Sequence, residues 1–102
     1  MSEVFKFDSE TASIRPGDGW AEAIKYARFM DGANPGYERI KMLGTALAGA
    51  ATIVGSHDVK MDEFAQAAVP PFTYSESSHF EHGFNVGEHV LRVMSVEGAH
   101  NV

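Results

Sequence analysis

The chain has 102 residues, an apolar fraction of 44 %, no cysteine and a formal net charge of −6. This length and composition suit a single domain, residues 1–102, with its own core, and exclude a disordered chain. The absence of cysteine excludes disulfides, thiolate catalysis and cysteine zinc sites, and an acidic surface repels nucleic-acid phosphates.

Met1 to Phe7 lacks the basic start and apolar run of a secretion signal. Within it, Val4-Phe5-Lys6-Phe7 alternates and suits a short strand or extended arm. Asp8 to Ser13 is polar. Arg15-Pro16-Gly17-Asp18-Gly19 reads as a turn, because proline fixes φ and glycine supplies positive φ. It precedes a helix, as phosphate loops do. It lacks the Walker lysine, however, and Asp18 would repel a phosphate.

The first helix is predicted over 19–30 with Asp18 as N-cap. Trp20, Ala23, Ile24, Ala27 and Met30 make its apolar stripe, and Phe29 lies off that face, free to meet a neighbour or partner. The second helix opens with Asn34 as N-cap and Pro35 at the first helical position, and runs to Val54 with Gly55 as C′. Ile40, Leu43, Leu47, Ala51 and Val54 form its main stripe. Its back is apolar too, through Met42, Ala46 and Ile53. A helix apolar all round is buried all round, so it is either the central helix or an oligomer interface. Gly44, Ala48 and Gly49 permit close approach of another helix. The run from Met42 to Gly55 would span only about 20 Å, short of a bilayer core of roughly 30 Å.

A third helix fits 59–68, capped by Asp58, with Met61, Phe64, Ala65 and Ala68 facing inward. Ser56-His57-Asp58 is a loop and a cap rather than a catalytic relay. Val69-Pro70-Pro71 ends the helix, and Phe72-Thr73-Tyr74 through Ser78 is read as a loop exposing two aromatics. Ser78 to Glu81 makes one capped turn ending at Gly83. Asn85-Val86-Gly87-Glu88 resembles a capping box for a last helix closed by Gly98. Residues 89–96 are also rich in β-branched side chains, which suits a strand, but strict alternation is absent and helix is preferred.

Three groups of residues carry candidate chemistry. From Met61 onward there are six acidic residues and one basic one, Arg92, and this stretch also holds four of the five histidines. His79, His82 and His89, near Glu81 and Glu88, are of the type that holds zinc, nickel or iron, although their spacing matches no established motif. A divalent metal is the one cofactor this suggests. Tyr37, Arg39 and Lys41 open the second helix and, with its N-terminal amides, suit a small anion or nucleotide. The stretch Tyr37 to Ala48 resembles helices of viral cyclic-nucleotide sponge proteins; the rest of the chain does not follow that pattern. Phe72, Tyr74, Glu76, Phe80 and Glu81 combine aromatic and acidic side chains of the kind that meet a basic protein surface. The stretch from Asp62 to His82 has a helix-turn-helix outline, but Glu76 and Glu81 stand where lysine or arginine should meet DNA.

The expected fold is therefore mainly α: a small bundle of three or four helices with a short N-terminal arm or strand. The expected function is that of a cytoplasmic, non-enzymatic binding module of the inhibitor or adaptor type, as phages and mobile elements encode. It would pair with itself as a homodimer or higher symmetric oligomer and engage a basic partner, without nucleic acid or membrane. An anion or nucleotide sponge, and a histidine-cluster metal protein or metal-dependent enzyme, are the rival readings.

Overall fold

A computed structural model of the chain describes residues 3–32, 36–56 and 58–100, with side chains up to Met94. The described residues form a mainly helical bundle with a small sheet at its N-terminal end. In chain order come β1 (Phe5–Asp8), β2 (Ser13–Pro16), α1 (Trp20–Asp31), α2 (Glu38–Val54), β3 (Asp58–Val59), α3 (Met61–Ala67) and α4 (Tyr74–His100).

The N-terminal arm is one half of a hairpin. β1 pairs antiparallel with β2, Phe5 opposite Pro16 and Asp8 opposite Ser13. β2 also pairs parallel with β3, Ile14 opposite Val59. The strand β2 thus takes in Arg15 and Pro16, which the sequence placed in a turn. Pro16 is tolerated because it ends the strand, where the lost N–H interrupts little. Asp58 was expected to cap α3. It lies in β3 instead, and α3 begins after Lys60 with no side-chain cap. Asp18 does not cap α1 either: Gly19 holds that position, and no side chain bonds there.

The end of α2 falls where the sequence put it. Gly55 has φ 70° and ψ 21°, the left-handed conformation that suits glycine, and its N–H reaches back to Ala51 and Thr52 carbonyls. Its start differs. Tyr37, itself left-handed at φ 54°, precedes the first turn, and Asn34 and Pro35 lie outside the described residues.

The largest departure concerns the C-terminal third. Residues 74–100 form one continuous helix, with no strand over 89–94 and no break at Gly83. Gly83 sits in the helix interior because α2 passes against it: a Cβ there would overlap the Lys41 carbonyl. A Cβ at Gly44 would likewise overlap the Phe80 carbonyl, and Gly87 lies 3.1 Å, measured from where its Cβ would be, from Thr45 and Ala48. Residues 41, 45 and 48 thus meet 83 and 87 in rising order, so the two helices run parallel. The Thr45 hydroxyl donates to the Gly83 carbonyl at 3.0 Å. Gly49 is different, since nothing lies within 4 Å of its missing Cβ.

With its axis this close, each helix turns its large side chains to the flanks. The inner flank carries Ile40 and Leu47 of α2 and Phe80 of α4, all buried. It closes on Trp20, whose ring lies 4.9 Å from Phe64, 5.4 Å from Phe80 and 5.9 Å from Phe5. The Trp20 indole N–H donates to the Phe64 carbonyl at 2.8 Å, so burying this polar handle costs no unmade bond. Arg15 joins the sheet to α3 through Glu63 at 2.5 Å, and within the sheet it lies 3.3 Å from Asp8 of β1.

Two alanine substitutions separate the roles of these glycines. Gly83→Ala should lower unfolding stability by about 2 kcal/mol or more, because backbone cannot step aside for the new methyl. Gly49→Ala should raise it by about 1 kcal/mol, the helix-propensity difference alone. Urea unfolding followed by circular dichroism measures both.

Candidate functional site

Thr73-Tyr74-Ser75-Glu76 opens α4 with reciprocal bonds. The Thr73 N–H donates to Glu76 Oε1 at 2.9 Å, and the Glu76 N–H donates to Thr73 Oγ1 at 3.1 Å. This is the capping box of the helix. The similar signature Asn85 to Glu88 lies in the helix interior and caps nothing. The carboxylate of Glu76 is buried and takes two bonds from Arg28 of α1, Nε at 2.7 Å and Nη2 at 3.1 Å. Nη2 also donates to the Pro70 carbonyl at 2.7 Å. Arg28 therefore ties α1, the proline connector and the start of α4 together.

Burial alone would push the Glu76 carboxyl up. The Arg28 hydrogen bonds, the Thr73 N–H and the Arg28 charge outweigh it, and the net direction is down from the ordinary value of 4.5. A carboxylate held lower in the folded state stabilises the fold above its unfolded value, and that contribution fades as pH falls through the folded one.

This geometry redistributes the expected partner surface. Glu76 and Phe80 are buried. Phe72 is half-buried, its ring 5.6 Å from Phe80 and 6.1 Å from Trp20. These three residues belong to the core and cannot form an exposed face. Tyr74 (91 % exposed) and Glu81 do lie on the surface. Tyr74, Glu81 and Glu88 recur every seven residues and so share one line of α4, set off from the Gly83–Gly87 line that meets α2, and at Glu88 it reaches the opening between the two helices. Ser78, Asn85 and Arg92 flank that line and are exposed as well. Arg92 reaches back to Glu88 at 3.3 Å.

The start of α2 holds an anion of its own. Both carboxylate oxygens of Asp31 accept the Arg39 backbone N–H, at 3.0 and 3.1 Å. The Arg39 side chain is exposed, and Lys41 Nζ lies 3.7 Å from Glu38. Tyr37 stacks on His79, ring centroids 4.5 Å apart. Any external anion at this end would have to displace the Asp31 carboxylate.

The three histidines do not converge. His79 is packed on Tyr37, with Nδ1 2.6 Å from the Ser75 carbonyl. His82 and His89 are exposed and lie about 10 Å apart along the helix axis. Among the described residues, no three histidine, aspartate or glutamate side chains are grouped to hold a metal ion.

Two further features lie on the surface, the first with no counterpart in the sequence reading and the second an extension of the apolar back of α2 noted there. One is an open cleft of about 480 Å³ between the second half of α2 and α4, walled by Ala48, Ala51, Val59, Phe84 and Leu91 with Glu88 and Arg92 at its edge. It exists because α2 presents only small residues there. The other is the outer flank of α2 and α4, where Met42, Ile53, Val86, Val90 and Val93 are exposed. Phe29 and Tyr26 form a smaller exposed patch on α1.

Glu76→Gln should cost about 3 kcal/mol, since it leaves the Arg28 guanidinium without its charge partner. It should also flatten the loss of stability on acidification below the ordinary glutamate value of 4.5. Urea midpoints of both proteins, taken from neutral pH down through the acidic range, check the two statements together. Compared with known proteins, the chain matches no family model, no curated protein and no solved structure.

Proposed function

We propose that the chain is a non-enzymatic binding module that presents the outward line of α4 to a basic protein surface. The observation that carries this reading is Tyr74, an aromatic ring 91 % exposed at the start of a long helix, with Glu81 and Glu88 following it at seven-residue intervals. An aromatic anchor beside carboxylates is the combination that meets arginine and lysine, the ring through its π face and the carboxylates through charge. The line stands on a helix fixed at its base by the Thr73–Glu76 box and by Arg28, so little order is lost when a partner docks. Charge steers the encounter: the stretch from Met61 onward is net negative by five, which draws a basic surface and repels phosphate backbones. An inhibitor or adaptor role is the natural use of such a surface.

Affinity capture from the native host at low salt, with wild-type chain and with Tyr74→Ala and Glu81→Lys, tests this. A basic-surfaced protein should be retained by wild type, released by raised salt, and weakened about tenfold or more by either substitution. Equal retention by all three chains would sink the reading.

A further inference from the structure

Among the described residues, the outer flank of the α2–α4 pair is an exposed apolar face that neither the core nor the partner line accounts for. Both helices bury their inner flank against the aromatic core around Trp20. Their outer flanks therefore lie together on the opposite side. On α2 this flank carries Met42 and Ile53, the latter 87 % exposed. On α4 it carries Val86, Val90 and Val93, each a little under half exposed.

We propose that this face binds a second copy of the same chain, across a two-fold axis, to make a four-helix assembly. Three observations favour that occupant. First, Val86, Val90 and Val93 follow the four-then-three spacing of a seam that packs against another helix, and within the chain α2 meets the neighbouring positions Gly83 and Gly87 instead. Second, the face carries little charge, with Glu38 at the Met42 end and His82 and His89 beside the valines as its ionisable groups among the described residues. No charged side chain lies between Met42 and Val54, and the Glu88–Arg92 pair sits almost opposite the valine seam. In a chain of net charge −6, a patch with one carboxylate at its edge, itself near Lys41, is where two copies meet with little repulsion, and it gives a basic partner little to hold. Third, the apolar side chains are large and open: Met42, Ile53, Val86, Val90 and Val93 stand 42–87 % exposed, and a second copy would cover each set with the same set, toward the roughly 800 Å² per partner of a standard interface. One self-complementary patch used by both copies is the usual construction of a two-fold dimer. This interface is separate from the Tyr74–Glu81 line, so either can fail without the other.

Light scattering coupled to size exclusion, run on the full chain over a wide concentration range, gives the result. Wild type should show about twice the 11.1 kDa chain mass. Ile53→Glu and Val90→Glu should each weaken the dimer at least about a hundredfold and yield monomers with unchanged helical circular dichroism, since both side chains are outside the core. Tyr74→Ala and Glu81→Lys should leave the dimer intact. A wild-type monomer at every concentration, or an assembly that survives both glutamate substitutions, would overturn the proposal.

Discussion

The contact on which the structure depends is the backbone approach of α2 to α4 at Gly44, Gly83 and Gly87. Each glycine costs the isolated helices about 1 kcal/mol relative to alanine. What offsets this is the close packing it permits, with many backbone atoms at van der Waals distance and a threonine hydroxyl bonded across the gap. The approach has a geometric result. No large side chain fits between the two axes, so every large apolar residue on either helix must go to one flank or the other. Ile40, Leu47 and Phe80 go inward, and Met42, Ile53 and the three valines go outward.

The rest of the molecule serves the inner flank. The sheet, α1 and α3 cover it, and their aromatic rings converge on Trp20. Arg28 and Glu76 then fix where α4 begins. A buried ion pair is weak evidence of net stability, because desolvation opposes the attraction. Its value here is positional: with three donors on one carboxylate, the first turn of α4 has one place to sit.

Much of this was legible in the residues. Trp20, Ile24 and Ala27 marked the inner face of α1, and Gly55 marked the end of α2. Small residues on α2 implied a close helix neighbour. What misled was Gly83, because a glycine that ends a helix and a glycine that admits another helix look the same in sequence. Reading it as an end split α4, and the split hid the register. In one continuous helix, Glu76, Phe80, Gly83 and Gly87 recur at four, three and four residues and face inward together. In a loop and a turn, Phe72, Glu76 and Phe80 are free to look like surface. The true start signal, Thr73-x-x-Glu76, was present, but Asn85-x-x-Glu88 carries the same signature, and only tertiary contact distinguishes them. Arg28 gave no local sign at all, since its partner lies 48 residues away.

The chain has a single tryptophan, and it occupies the centre of the aromatic cluster. Its emission therefore reports one event, the opening of the core to water. Trp20 is 1 % exposed while Tyr74, Ile53 and Val90 stand on the surface, so docking on those residues leaves the indole buried as before. The molecule thus carries a native optical reporter that distinguishes loss of fold from loss of association, with no label added.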